Sequence, residues 1–121
     1  MVQATYVWTN NADDPDFRMM FEEYFDGFGM AIDDGMFDAM SGDMKVYPME
    51  IVLMYDRETP VGFSLVQTDT EDNPWCMCPG VADIREFFIR HPYRNRGFGK
   101  RLFLEIESGF KARGHLEIRL S

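Results

Sequence analysis

One short segment combines glycines and cations in a pattern that can bind an anion: Arg94-Asn95-Arg96-Gly97-Phe98-Gly99-Lys100. The segment follows an apolar stretch that ends at Ile89 and a short turn that contains Pro92. An amphipathic pattern that predicts a helix begins directly after it. Backbone N–H groups at the start of a helix bind phosphate, and glycines let an anion approach the backbone closely. The segment therefore predicts a site for a phosphate or pyrophosphate.

Two common phosphate-binding loops do not fit this segment. A P-loop needs Gly-x-x-x-x-Gly-Lys-Ser/Thr, but Arg94 occupies the position of the first glycine and Arg101 follows Lys100. A dinucleotide-binding loop needs a third glycine soon after the second, where this chain has Leu102 and Phe103. The pattern that remains is Arg-x-x-Gly-x-Gly after a strand.

Charge is distributed unevenly along the 121 residues, which together carry a net −9. Residues 1–80 carry −13, whereas residues 81–121 carry +4. Cations concentrated around one glycine loop indicate a local anionic ligand, and they argue against nucleic acid, which needs a broader basic surface. The cations that flank the loop are Arg90, Arg94, Arg96, Lys100 and Arg101.

Composition sets further bounds. Hydrophobic residues make up 45% of the chain, which excludes disorder. The sequence has no apolar run near the ~20 residues of a membrane span and no signal-peptide pattern at its start, so we expect a cytoplasmic protein that binds no membrane. Cys76 and Cys78, with only His91 and His115 as histidines, are a poor zinc set, and we expect no metal.

The hydrophobic pattern predicts the element order β-α-α-β-β-β-α-β. Strands are predicted at about 4–8, 49–55, 61–66, 82–89 and 115–120. The segment 17–40 predicts two helices because Gly27, Gly29 and Gly35 interrupt it. Gly62 suggests a bulge in the third strand. The segment 68–80 is predicted to be a surface loop, and 97–112 is predicted to be a helix that ends at Gly114. We expect one α/β domain over residues 1–121, with a mixed, mostly antiparallel sheet flanked by helices.

The sequence around the loop resembles the GCN5-related N-acetyltransferase (GNAT) superfamily. The resemblance is carried by Arg94-x-x-Gly97-x-Gly99, by the preceding Glu86-Phe87-Phe88-Ile89, and by Leu116-Glu117-Ile118-Arg119 after the helix. It is specific over residues 81–121 and concerns only the architecture before that. It implies an acyl-CoA-dependent N-acetyltransferase.

The resemblance implies roles for particular residues. The backbone of Phe87, Phe88 and Ile89 would pair with the pantetheine arm of acetyl-CoA. One of Arg90, Arg94, Arg96 or Lys100 would meet its 3′-phosphate. The pyrophosphate would be held by backbone N–H groups from Arg94, Asn95, Arg96, Gly97, Phe98, Gly99 and Lys100.

Acyl transfer to an amine also needs a group that removes the ammonium proton, and a carboxylate usually does this. Three carboxylates are candidates: Asp83, Glu86 and Glu117. Glu86 and Glu117 are favoured, because an acid within an apolar strand is costly unless it is paired or faces a cleft. An ion pair to Arg85, Arg90 or Arg119 is the alternative for each. Asp83 would lie on the opposite face from Glu86 if the strand is regular. A backbone N–H near Phe88 or Ile89 would hold the oxyanion.

The sequence thus predicts transfer of an acetyl group from acetyl-CoA to a primary amine of a small molecule or peptide. The acidic first two-thirds suits a cationic acceptor. The alternative is a CoA-binding regulatory module without catalysis. Tyr24, Tyr47 and Tyr55 could each donate a proton to the leaving thiolate, but core packing is the preferred interpretation. The methionines from Met19 to Met44 are interpreted as core packing, with a hydrophobic acceptor channel as the alternative.

The chain ends at Ser121, soon after the fifth predicted strand. The superfamily normally continues with a helix and two further strands, and that helix often supplies a cofactor-binding Asn and an acidic Tyr. Either the chain is a shortened piece, or another subunit supplies the remaining surface, or this is a reduced form of the fold. Without a sixth strand the fifth strand would have an open edge, and we expect a dimer, such as a homodimer, or a larger assembly.

Overall fold

The computed structural model describes residues 4–46, 49–68, 81–114 and 117–120. The side chains of seven residues within these ranges, Glu117 and Arg119 among them, are left out of the description. The elements are β1 (Ala4–Thr9), α1 (Pro15–Asp26), α2 (Asp34–Val46), β2 (Met49–Asp56), β3 (Thr59–Thr68), β4 (Val81–Ile89), a 3₁₀ turn (His91–Tyr93), α3 (Phe98–Ala112) and β5 (Glu117–Leu120).

The five strands form one sheet in the order β1-β2-β3-β4-β5. Neighbouring strands from β1 to β4 are antiparallel, and only β4 and β5 run parallel. Helix α3 makes the crossover between those two strands, as parallel pairing requires. The predicted element order and the mixed, mostly antiparallel sheet are confirmed.

Helices α1 and α2 cover one face of the sheet. The side chain of Asp14 accepts hydrogen bonds from the backbone N–H groups of Asp16 and Phe17, and Pro15 occupies the first turn. Such a cap stabilises a helix by about 1 kcal/mol. Phe17, Met20 and Phe21 are buried at helical spacing. The predicted break between two helices is confirmed, but α2 continues to Val46 rather than ending near Met40.

Helix α3 covers the opposite face, so the sheet lies between two apolar layers. Phe98, Leu102, Ile106 and Phe110 are the buried residues of α3. They pack in one cluster with Val52, Met54 and Ile84 of the sheet, whereas Ile51, Leu53, Phe63 and Phe88 pack in a second cluster with α1. Adjacent residues of β2 thus face opposite layers, as a pleated strand requires.

Two register shifts interrupt the sheet. Between β2 and β3, Met54 pairs with Gly62 and Tyr55 pairs with Pro60, which leaves Val61 as the extra residue. The bulge that Gly62 suggested is therefore present, one residue before it. Between β3 and β4, Leu65 pairs with Glu86 and Val66 pairs with Ile84, which leaves Arg85 as the extra residue.

The bulge at Arg85 changes which face of the sheet each later residue of β4 occupies. Ile84 packs with α3, whereas Glu86 contacts α1 although it lies only two positions further on. In a regular strand these two residues would share a face. The condition under which Asp83 and Glu86 would lie on opposite faces, a regular strand, is therefore not met between them.

Strand β5 accompanies β4 over only its first half. The register runs from Val81 opposite Glu117 to Ile84 opposite Leu120. Beyond Ile84, β4 continues to Ile89 with β3 on one side and no described strand on the other. We call the side of this half that faces away from β3 its open edge, because the described residues place no strand there.

Two sequence-based expectations concern residues outside the described ranges. The cysteines Cys76 and Cys78 lie outside these ranges, and so does the predicted loop 68–80, apart from Thr68 at the end of β3. Within the described ranges, no helix is both long and apolar enough to cross a membrane. The same ranges hold no group of three or more His, Cys, Asp or Glu side chains arranged to bind a metal ion.

Gly62 is expected to tolerate no side chain, because a Cβ there would lie 2.5 Å from the carbonyl oxygen of Phe88 and 2.7 Å from Cδ1 of Ile89. We expect Gly62→Ala to destabilise the fold by about 1–3 kcal/mol, the usual cost of overpacking. Urea denaturation measures this change.

Gly42→Ala is the matched control, because a Cβ at this exposed position in α2 would meet nothing within 4 Å. It should stabilise the protein by up to about 1 kcal/mol through helix propensity. Equal effects of the two substitutions would contradict the packing argument.

Candidate active site

A cavity of about 580 Å³ lies where the end of α1 approaches the second half of β4. One wall, which we call the α1 wall, is formed by the end of α1 and the two residues that follow it: Glu23, Tyr24, Asp26, Gly27 and Phe28. Phe87, Phe88 and Ile89 of β4, together with His91 and Arg94 of the following turn, form the other wall. The cavity therefore adjoins both the strand edge and the glycine loop that the sequence singled out.

The glycine loop turns sharply before α3. Asn95 has φ of 61° and Gly97 has φ of 86°, both in the left-handed region. Gly97 is the N-cap of α3, and a Cβ there would face open space, so its positive φ is the reason for a glycine. The N–H groups of Phe98, Gly99 and Lys100 begin the helix, where no residue four positions earlier can accept them within it. With the dipole of a 15-residue helix, these groups favour an anion.

The start of α3 lies against the end of β4. A Cβ on Gly99 would be 3.7 Å from Cγ1 of Ile89 and 3.8 Å from Cε1 of Phe87, which are ordinary contact distances. The start of α3 therefore contacts the end of the strand whose edge is open. The ring of Phe98 is buried in the core beneath α3, so only its backbone can reach a ligand.

The four cations assigned to a 3′-phosphate have different environments. Arg90 pairs with Glu23 at 3.2 Å and donates to the carbonyl oxygen of Pro60. Arg94 donates from Nε to the carbonyl oxygen of Ile89 at 2.8 Å. The guanidinium of Arg96 stacks on the rings of Tyr93 and Phe98, and the side chain of Lys100 is exposed. Arg90 thus connects the end of β4 to α1, whereas Arg94, Arg96 and Lys100 are part of the glycine loop itself.

The backbone of β4 shows which peptide groups face the open edge. The N–H of Arg90 donates to the carbonyl oxygen of Val61 on β3. Peptide groups alternate in direction along a strand, so that of Phe88 also faces β3, while those of Phe87 and Ile89 face the open edge. Of the two N–H groups expected near the oxyanion, that of Ile89 is therefore on the accessible side.

Glu86 is paired with Tyr24 rather than with an arginine. The hydroxyl of Tyr24 donates to Oε2 of Glu86 at 2.5 Å, joining α1 to β4. Arg85 instead donates to Gln67, and Arg90 pairs with Glu23, so neither takes Glu86 as its described partner. The side chain of Arg119 lies outside the description.

Tyr24 is the residue of this site that the sequence did not reveal. Its helical spacing with Phe17, Phe21 and Phe28 gave it the pattern of a core residue. Its ring does pack against Phe63 and Phe88, with centroids 5.9 and 5.4 Å away, but it also lines the cavity. Burial, and then the hydrogen bond and charge of Glu86, raise the pKa of Tyr24 from 10.0 to about 12.

Glu117, the second carboxylate candidate, lies elsewhere along the sheet. Its backbone is in register with Val81, at the start of β4. Five residues separate Val81 from Glu86, which at the rise of a strand is roughly 17 Å. The structure thus places Glu86 next to the cavity-lining Tyr24, whereas the position of Glu117 is at the far end of β4 and its side chain is not described.

The comparisons with known proteins identify the family and the fold. The sequence model of the Acetyltransferase (GNAT) family matches residues 17–120. The chain therefore belongs to the GNAT acetyltransferase family. No curated protein sequence matches it.

Solved structures with low sequence identity share the fold. An aminoglycoside acetyltransferase from an uncultured soil metagenomic sample superposes with a TM-score of 0.72 at 15% identity, covering 98% of this chain and 76% of that one. The ribosomal-protein-alanine N-acetyltransferase of Brucella melitensis gives a TM-score of 0.73 at 15% identity, with 98% and 80% covered. AAC(6')-Iy bound to a CoA-based bisubstrate analogue gives 0.75 at 14%, with 98% and 79% covered.

The environment of Tyr24 predicts a dependence of stability on alkaline pH. Its pKa is about 12 when folded and ordinarily 10.0, so the folded state favours the neutral phenol. This contribution is present below pH 10 and is lost as the pH rises towards 12. We expect the urea midpoint of the wild type to fall between pH 9 and 11 by more than that of Tyr24→Phe. Equal falls in the two proteins would show that the phenol is not held neutral by the fold.

Proposed function

We propose that this protein is an N-acetyltransferase that transfers the acetyl group of acetyl-CoA to a primary amine on a small molecule or peptide. The observation that carries the proposal is that one cavity adjoins both the second half of β4 and the glycine loop at the start of α3. Strand backbone and the N-terminal N–H groups of a helix thus lie close together. These two features match the two ends of an extended ligand, an amide-bearing arm and a pyrophosphate.

The described residues fit such a ligand. Phe87 and Ile89 would offer their peptide groups to the pantetheine arm, and the N–H groups from Asn95 to Lys100 would hold the pyrophosphate. Arg94, Arg96 and Lys100 supply positive charge near the loop. When bound, acetyl-CoA would supply a thioester whose thiolate is a good leaving group.

Glu86 is the group that we assign to the acceptor's proton. An ammonium has no lone pair, so the amine must lose a proton before it can attack a carbonyl carbon. Glu86 lies on the open half of β4, three residues before Ile89, whose N–H would stabilise the developing oxyanion. Proton removal and charge stabilisation would then come from one short segment of strand.

The wall formed by α1 supports a cationic acceptor. Glu23 and Asp26 line the cavity, and Glu22 and Asp26 line a neighbouring depression of about 400 Å³. Two proteins of similar structure are named as acetyltransferases of amines. One is an aminoglycoside acetyltransferase that was solved in complex with sisomicin, and the other is a ribosomal-protein-alanine N-acetyltransferase. These likenesses favour an amine acceptor without choosing among amines.

Binding of acetyl-CoA is the first test. Calorimetric titration should show micromolar affinity for the wild-type chain. Gly97→Glu should weaken binding at least tenfold, because a carboxylate would stand beside the anion site and a side chain would strain the positive φ of 86°.

Gly114→Glu is the matched control, since Gly114 also has a positive φ, of 90°, and a Cβ there would face open space. It should cost similar stability and leave affinity unchanged. Equal loss of binding in both variants would assign the effect to the fold rather than to the loop, and no binding by the wild type would reject the proposal.

Acetyl transfer is the second test. A panel of amines is assayed for thiol release, with Glu86→Gln expected to lower kcat about a hundredfold while the affinity for acetyl-CoA stays the same. Glu58→Gln, at an exposed position in the β2–β3 turn, is the control and should be unchanged. Tight binding of acetyl-CoA with no transfer to any amine would instead identify a CoA-binding module.

A further inference from the structure

We propose that Tyr24 relays the proton of the acceptor amine from the cavity to Glu86. This inference rests on the proposed acetyl transfer and assigns a catalytic residue on α1. It concerns how a carboxylate on β4 can act on an amine in the cavity.

The first observation is the order of the groups. Tyr24 belongs to the wall of the cavity, whereas Glu86 is not among the described residues that line it. The pair meets the cavity through the tyrosine, whose hydroxyl is 2.5 Å from Oε2 of Glu86. A hydroxyl that donates one hydrogen bond still has lone pairs with which to accept another. An amine in the cavity can therefore donate to Tyr24 while Tyr24 donates to Glu86.

The second observation is that the tyrosine ring is held from several sides. Four rings surround it, with centroids 5.2 to 5.9 Å from that of Tyr24: Phe88 of β4, Phe63 of β3, Phe25 of α1, and Phe28 just beyond the end of α1. A ring in such a cluster keeps its orientation without its hydroxyl. The hydroxyl is thus free to serve the relay, while the fold depends on the ring.

The step conserves protons and bonds. An N–H bond of the acceptor ammonium breaks as an O–H bond to Tyr24 forms, and the original O–H bond of Tyr24 breaks as an O–H bond to Glu86 forms. Tyr24 ends as the neutral phenol that it was, Glu86 ends protonated, and the amine gains the lone pair with which it attacks. No oxidant, reductant or further reactant is needed.

A relay requires that Tyr24 carry its proton at the pH of the reaction. Burial and the neighbouring carboxylate raise the pKa of Tyr24 to about 12, so it is a phenol throughout the neutral range. The ion pair between Arg90 and Glu23 lies nearby, and its guanidinium is occupied by Glu23 and by the carbonyl oxygen of Pro60.

Tyr55 provides a matched control within the same chain. Its hydroxyl donates to Oδ2 of Asp16 at 2.7 Å, which is again a half-buried pair between a tyrosine and a carboxylate. Neither residue is among the described residues that line the cavity. Tyr55→Phe therefore removes the same type of hydrogen bond at a place that the relay does not use.

The experiment measures kcat and KM for the 121-residue chain and four variants: Tyr24→Phe, Glu86→Gln, the double variant, and Tyr55→Phe. The first two should each lower kcat about a hundredfold. The double variant should fall no further, because the two groups act as one unit. Tyr55→Phe should stay within about twofold of wild type, and the KM for acetyl-CoA should be the same in all five.

Two results would overturn the relay while acetyl transfer stands: Tyr24→Phe retaining most of the activity that Glu86→Gln loses, or losses that add in the double variant. Absence of transfer by the wild type would instead reject the proposed function, and the relay with it. If Tyr24→Phe does not fold, a proton inventory on wild-type kcat in mixed H₂O and D₂O decides. A curved inventory supports two protons in flight, and a linear one overturns the relay.

Discussion

The site depends on one irregularity of the sheet, the extra residue at Arg85 in β4. Before it, Ile84 packs in the layer beneath α3, and after it, Glu86 and Phe88 face α1. The described residues of β5 pair with β4 as far as Ile84. The shift at Arg85 thus separates a first half of β4 that packs with α3 from a second half that lines the cavity and whose Glu86 meets the cavity through Tyr24.

The two sides of that cavity have opposite electrostatic character. The loop before α3 offers backbone N–H groups, the positive end of a helix dipole, and Arg94. The α1 wall offers the carboxylates of Glu23 and Asp26. A transfer between an anionic donor and a cationic amine needs both kinds of surface close together. Among the described residues, the ion pair between Arg90 and Glu23 joins the end of β4 to the α1 wall.

Most of the fold could be predicted from the sequence because it follows from local patterns. The β-rich composition of 49–55 and the helical spacing of apolar residues in 97–112 are properties of neighbouring residues, and the structure confirms both elements. The end of α2 was missed because Gly42 and the polar residues around it weaken the helical pattern, while Met44 on the same helix is buried against the core. The bulge at Arg85 was also missed, since a register shift is decided by the partner strand.

Three features of the site could be recognised from the sequence alone: the glycine loop, the family to which it belongs, and the apolar strand that leads into the loop. These depend on residue types at short spacing, such as the positive φ that only Gly97 accepts easily at the N-cap of α3. Tertiary structure alone decided which carboxylate meets the cavity and through which group. Tyr24 and Glu86 are 62 residues apart, and their hydrogen bond exists because α1 packs on the face to which the bulge turns Glu86. No local pattern encodes a contact between elements so far apart in the chain.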